Sequence, residues 1–409
     1  MRTDRLAIDG GTPAVTRPLP LGKGIDLIGD AEIAAVTEVL RDRSLFRYHS
    51  LRTPRRVEAF EAALCDAFGC RHALATASGT AALRAGLAAL GVGWGAEVIV
   101  PAFTFIATVS AVVAMGAEPV FGEVDDTLTL DSADVEAKVT DRTAAVVPVH
   151  LENVACDMDA LTVVAARHGV PILEDAAQAI GVTYQGRHAG TIGALGACSL
   201  QQTKNITTGE GGIVLTDDDD LYVRAARFHD QGGQFVTQYR GERGPERGGP
   251  FMGDNVRMTE IAGALGLVQL ERLPGLLAAM RASHDHIADA IGGLDGWQPR
   301  RIPDRDGIAG SSLTWFLPDP GTARRVVAAL RAERAPAAQM YEGRPVYANP
   351  AVRSRPTTRD AGPDSCPRSE DLVARSVTLG IGPAFTVDDC EQIAAAVHKV
   401  ARHVTDLSM

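Results

Sequence analysis

Between residues 72 and 217 the chain alternates short, nearly unbroken apolar runs with longer stretches of helical periodicity. His72–Thr76, Glu97–Val100, Pro119–Phe121, Ala144–Val149 and Pro171–Glu174 read as strands. Between them, 80–90, 106–115, 133–139 and 160–168 read as helices. Strands that are apolar on both sides and alternate with helices predict a mainly parallel sheet covered on both faces. Before this block, the first 28 residues are rich in Gly and Pro and read as an extended arm. A helix capped by Asp30 and a second helix over 55–68 follow, the latter with Val57, Phe60 and Leu64 on one face. After it, Met258, Ile261, Leu265 and Val268 mark an amphipathic helix over 258–273. The last hundred residues mix a short strand at Leu313–Phe316 with helices over 323–334 and 388–403. The expected organisation is an arm (1–28), a large α/β domain (29–273) and a small C-terminal α+β domain (274–409). A Gly-, Arg- and Glu-rich loop covers 231–253 and is expected to be a mobile element near the site.

Composition narrows the function. The net charge of −11 argues against nucleic acid or an anionic membrane as the main partner. No run approaches the 18 apolar residues of a membrane span, and the opening Met1–Leu6 lacks a signal-peptide core, so the expected location is the cytoplasm. The six cysteines form no CxxC pair, and His284 and His286 are two apart, which does not put them on one helix face. Buried reduced thiols and no metal site are expected.

Four motifs carry candidate chemistry. Ala77-Ser78-Gly79-Thr80-Ala81 follows a strand and opens a helix, where free N–H groups and two hydroxyls suit an anion; a plain capping turn is the alternative. Pro101-Ala102-Phe103-Thr104-Phe105 puts an aromatic at the mouth of a parallel strand, where it can stack on a planar ring, and we take Phe103 as the stacker. In Leu173-Glu174-Asp175-Ala176-Ala177-Gln178, the acid lies at the carboxyl end of a strand, where open α/β sheets place ligands; a helix cap by Asp175 is the competing role. In Ser199-Leu200-Gln201-Gln202-Thr203-Lys204, a lysine lies between an apolar strand and the glycine turn Gly209–Gly212. In a dry pocket such a lysine has a lowered pKa and serves as a nucleophile.

Taken in order, these motifs resemble the DegT/DnrJ/EryC1/StrS aminotransferases, over nearly the whole chain. The resemblance implies a fold-type I enzyme using pyridoxal 5'-phosphate (PLP), with a seven-stranded type of sheet between helices. It implies that Lys204 binds PLP as a Schiff base and that Asp175 pairs with the ring nitrogen. It places Gln178 near the ring hydroxyl and Ser78, Gly79, Thr80 and Ser199 at the phosphate. Gly253-Asp254-Asn255-Val256-Arg257-Met258 matches the family's GxNxRM segment, and Asn255 implies a homodimer in which it reaches the neighbouring subunit's phosphate. Tyr341, Arg344 and Tyr347 resemble substrate-side residues. Lys204, rather than the histidine of dehydratase relatives, implies transamination, with glutamate or glutamine as donor. The opening segment, Val149-His150-Leu151 and Asp157-Met158-Asp159 resemble aminocyclitol enzymes, so the expected acceptor is a keto-cyclitol of an aminoglycoside type of antibiotic biosynthesis. A nucleotide keto-sugar is the alternative, as is an aminobenzoate type of synthase. A non-catalytic partner subunit would lack Lys204 or Asp175, and both are present. Glu152-Asn153 departs from the Tyr or Gly of many relatives.

Overall fold

The computed structural model describes residues 5–48, 55–233, 252–354 and 365–403. Seven strands build the central sheet: β1 (His72–Thr76), β2 (Glu97–Pro101), β3 (Glu118–Gly122), β4 (Thr143–Val146), β5 (Leu173–Asp175), β6 (Leu195–Ser199) and β7 (Gly212–Thr216). β2 pairs in parallel with β3 and β4, and β5 with β6. Parallel bridges Val146–Ile172 and Val149–Asp175 join β4 to β5. The order is therefore β3-β2-β4-β5-β6-β7-β1, with β7 alone antiparallel to its neighbours β6 and β1.

Period-two alternation sends neighbouring strand residues to opposite faces. Ile99, Ile213 and Leu215 pack into one core with Val57, Phe60 and Leu64. Val98, Val100 and Val214 pack into the other with Leu83 and Leu87. Both faces are covered, as the apolar runs predict.

The first long helix is Asp30–Asp42, and its cap is Gly29 rather than the expected Asp30. Glu32 turns back to accept from the Gly29 N–H at 2.9 Å and pairs with Arg272 at 2.7 Å. Burial pushes its carboxyl up, but the bonds from Arg272, the Gly29 N–H and Gln269 outweigh it and hold the pKa at about 2. The helix expected over 258–273 runs as Glu260–Ile291 without a break, through Pro274. Position 273, the expected end of the large domain, thus lies inside this helix. By length and composition it could cross a membrane, yet Leu270, Leu273, Leu276 and Met280 sit in the core and Ile287 and Ile291 in that of the small domain. It is the spine that both units share.

The small unit has an antiparallel sheet in the order Gln298–Pro299, Ser312–Phe316, Ser376–Gly380, Ala337–Ala338. Helices Pro320–Ala332 and Val387–Arg402 cover it. The arm begins here: Leu6 and Val15 join this core, and Glu333 accepts from the N–H groups of Ala7 and Ala14. It then crosses to the large unit, where Gly24 packs against Asn205 and Gln269.

Candidate active site

A cavity of about 580 Å³ opens at the carboxyl ends of β1, β5 and β6. Its wall includes Ser78, Gly79, Thr80, Asp175, Gln178, Ser199, Lys204 and Tyr341, so the structure brings these predicted residues together. They converge because successive crossovers return each strand to the same edge of the sheet.

Ser78 caps helix Gly79–Ala89, its Oγ accepting from the Ala81 N–H at 3.1 Å. The N–H groups of Gly79 and Thr80 make no hydrogen bond among the described residues and lie at the positive end of the helix. The turn is too tight for a side chain: a Cβ on Gly79 would meet the Ser199 Cβ at 2.7 Å, and one on Gly212 the Ser78 oxygen at 2.2 Å. Backbone donors, the Thr80 hydroxyl and the Ser199 hydroxyl therefore crowd one end of the cavity, an arrangement that fits a phosphate.

Asp175 ends β5, fully inside the protein. Its carboxylate accepts from the Thr108 hydroxyl at 2.8 Å and the Ala177 N–H at 3.1 Å. Burial raises its pKa, against the bonds from Thr108 and Ala177 and the positive charge of Lys204. Lys204 sits in the loop after β6, its N–H bonded to the Gln201 oxygen at 2.9 Å. Its amine has no hydrogen bond or ion pair among the described residues. Burial pushes its pKa down, while Asp175 and Glu152 pull it up. Asp175→Asn removes one of these opposing charges, so the Lys204 pKa falls further and its neutral amine appears at lower pH. Trinitrobenzenesulfonate labelling of Lys204 in cofactor-free protein, followed by mass spectrometry across pH, should show its midpoint move to lower pH; an unmoved midpoint would mean the two groups do not communicate.

Gln178 is held by both ends. Its Oε1 accepts from the Glu152 N–H at 3.2 Å, and its Nε2 donates to the Tyr341 hydroxyl at 3.0 Å. Glu152 and Asn153 take left-handed backbone, with φ of 52° and 59°. Asn153 and Asn205 exchange a buried bond of 2.7 Å, which ties this turn to the Lys204 loop.

Several predicted residues stand elsewhere. Phe103 is 1% exposed, in an apolar cluster with Val124, Leu128 and Phe316, edge-on to Tyr341. Phe105, 53% exposed, lines the cavity instead; β2 ends at Pro101, so strand parity no longer decides which phenylalanine faces the opening. Tyr347 is fully buried, donating to Glu370 at 2.6 Å and packed on Phe121. Arg344 is exposed and does not line the cavity. Of the substrate-side trio, only Tyr341 does. Asn255 is exposed and outside this cavity. Most of the 231–253 loop lies outside the described residues. Among the described residues, no cluster suits a metal ion, and all six cysteines are free.

Among the wall residues outside the four motifs are Lys23 and Thr108. Lys23 enters from the arm, and Thr108 supports Asp175 from helix Ile106–Ala114. No local pattern marks either one, because each reaches the site only through tertiary packing.

The anion cradle, the buried acid and the desolvated lysine on this sheet define a fold-type I PLP enzyme, an aminotransferase. Residues 26–398 match the model of the DegT/DnrJ/EryC1/StrS aminotransferase family, and the chain belongs to that family. The chain is 44% identical over 226 residues to GDP-perosamine synthase of Caulobacter vibrioides, a match spanning 55% of this chain and 59% of that one. Among solved structures, DesI in the presence of its TDP-sugar product is 31% identical, covers 98% of both chains and superposes with a TM-score of 0.81. The 3-amino-5-hydroxybenzoic acid synthase is 28% identical over 97% of this chain and 99% of its own, with a TM-score of 0.79.

Proposed function

We propose that the enzyme transfers an amino group from glutamate or glutamine to the keto group of a nucleotide-linked sugar. The observation that carries the reading is the half-buried Lys204 amine, without a hydrogen bond or ion pair among the described residues, sharing one cavity with buried Asp175. Similarity to GDP-perosamine synthase and to the TDP-sugar-bound DesI supports a nucleotide sugar over the keto-cyclitol expected from sequence.

Bound PLP supplies an electron sink beside the reacting nitrogen. Around it, the cradle of Ser78, Gly79, Thr80 and Ser199 binds the phosphate. Asp175 keeps a ring nitrogen protonated, with Thr108 fixing its orientation. Phe105 and Tyr341, rather than Phe103, border the ring space. Lys204 would hold the cofactor through its amine and, with Nζ free, would take and return the proton at the substrate carbon. Asn255, exposed on this chain, serves the site of a second copy in a homodimer. Six free cysteines suit a reducing cytoplasm.

Loading the protein with PLP and L-glutamate, then supplying GDP- and TDP-linked keto-sugars and keto-cyclitols, tests the reading. A nucleotide keto-sugar should regenerate the visible band of the lysine-bound cofactor and yield an amino sugar by mass spectrometry. Regeneration by keto-cyclitols alone would overturn the acceptor assignment. Similarity to the aminohydroxybenzoate synthase motivates a second reading, aromatisation of a cyclic ketone, which an ultraviolet-absorbing acid product would establish.

A further inference from the structure

Besides Lys204, the cavity wall carries a single basic side chain among the described residues, Lys23, and no arginine. Lys23 is brought in by the arm, and the arm is fixed at that point. A Cβ on the next residue, Gly24, would meet the Gln269 Oε1 at 2.6 Å, the Asn205 oxygen at 2.8 Å and the Ile206 Cα at 2.9 Å. The contact is with the segment directly after Lys204. Only glycine lets the arm lie this close, and the close approach delivers the Lys23 side chain to the same space as the Lys204 amine.

The charges in that space are coupled. Burial lowers the Lys23 pKa, Glu152 raises it and Lys204 lowers it again. Glu152 in turn favours the charged form of Lys204. Neither the Lys23 amine nor the Glu152 carboxylate makes a hydrogen bond or an ion pair within 4.0 Å among the described residues. Asp175, by contrast, is already engaged by Thr108 and Ala177. Glu152 is held from behind. Its N–H is bonded to Gln178, and the preceding Leu151 oxygen accepts from buried Arg300 at 3.1 Å. The wall therefore carries a cation and an anion that feel each other's charge, neither with a hydrogen bond or ion pair among the described residues.

We propose that Lys23 is a specificity-determining residue that binds the carboxylate of the amino donor, with Glu152 as its counter-charge when the donor is absent. This rests on the aminotransferase reading above. An α-amino acid must present its amine next to Lys204, and its α-carboxylate is then one bond from the reacting carbon. That carboxylate needs a cation inside the radius where Lys204 feels other charges, and among the described residues Lys23 is the one the wall provides. A keto-sugar brings neutral hydroxyls to the same place. The Glu152 carboxylate accepts hydrogen bonds from those hydroxyls whether or not Lys23 lies beside it, so the lysine discriminates for the donor.

The test compares wild type, Lys23→Met and Lys23→Arg, each loaded with PLP. L-glutamate is titrated while loss of the visible cofactor band is followed in a single turnover, and binding of glutarate, which has no amine to react, is measured by calorimetry. A charge-assisted hydrogen bond is worth enough that Lys23→Met should weaken both by roughly tenfold or more. Lys23→Arg should recover most of the loss, and KM for the keto acceptor should stay within about twofold. Unchanged glutamate and glutarate affinity in Lys23→Met overturns the proposal. So does an equal loss for donor and acceptor, or a loss that arginine fails to recover, since either marks a packing role. If wild-type protein forms no visible band with PLP, the function reading fails and the proposal fails with it. A normal band with indifferent Lys23 variants sinks the proposal alone.

Discussion

Replacing Lys204 with alanine should abolish the visible band of bound PLP and lower turnover by roughly 10³-fold or more, while the fold stays intact. The size follows from the two tasks that converge on one amine. In the proposed reaction it anchors the cofactor and is the base placed to move a proton at the substrate carbon, a contribution that alone is worth about 10²–10⁴-fold. No neighbour can take over. Lys23 is tied to the arm, and Asp175 is locked to Thr108 and the Ala177 N–H. Stability should change little, because the amine makes no hydrogen bond or ion pair among the described residues and its burial is a cost, not a gain. The variant should still retain PLP, since the cradle at Ser78–Thr80 is untouched. Dialysis followed by absorbance and a thermal melt separate these outcomes. A Lys204→Ala protein that keeps the lysine-type band or near-normal turnover would move the chemistry to another residue.

The alternation of apolar strands and helices makes the sheet legible in the sequence, because strands buried on both faces leave continuous runs of apolar residues. The anion cradle and Asp175 are legible for a related reason. They sit at strand ends, and strand ends are where local pattern changes. Phe103 is buried outside the cavity wall and Phe105 lines it because β2 ends at Pro101; past a strand end, alternation says nothing about facing. Tyr347 and Arg344 fall away from the site because a position near Tyr341 in sequence is not a position near it in space: the backbone turns through left-handed geometry at Tyr341 and Glu342. Lys23 is invisible to pattern because no periodicity marks an arm residue, and the contact that places it spans some 180 positions of chain. The long helix extends past its expected end at residue 273 because Pro274, which reads as a stop, does not act as one. Proline costs a helix one hydrogen bond and a steric clash, and here the packing of Leu273, Leu276 and Leu277 in the core offsets that cost.

The acid preceding Asp175 should matter most for stability. Glu174 is 0% exposed, and its carboxylate accepts from the N–H groups of Gly190, Ile192 and Gly193 at 2.8, 2.6 and 2.5 Å and from His150 Nε2 at 2.8 Å. The Cys156 N–H points at His150 Nδ1 from 3.0 Å, so that nitrogen accepts and the proton sits on Nε2, facing Glu174. A single carboxylate therefore satisfies four donors in the interior, and it joins β5 to the turn before β6 and to the segment after β4. Glu174→Ala leaves three backbone N–H groups and an imidazole N–H without their acceptor, and the expected cost is about 3–5 kcal/mol. Glu174→Gln should fall between, because its amide keeps one acceptor but turns an NH₂ toward existing donors. The lesion is next to the site: the His150 backbone N–H donates to the Asp175 backbone carbonyl at 3.0 Å, so a loosened β5 also displaces Asp175 in the cavity. Glu174→Ala should thus lower the urea midpoint and the affinity for PLP together, whereas Asp175→Asn lowers the second with little effect on the first. A Glu174→Ala protein within about 1 kcal/mol of wild type would mean that water replaces the carboxylate, and that the tie between β5 and its neighbours is made by the strand pairing alone.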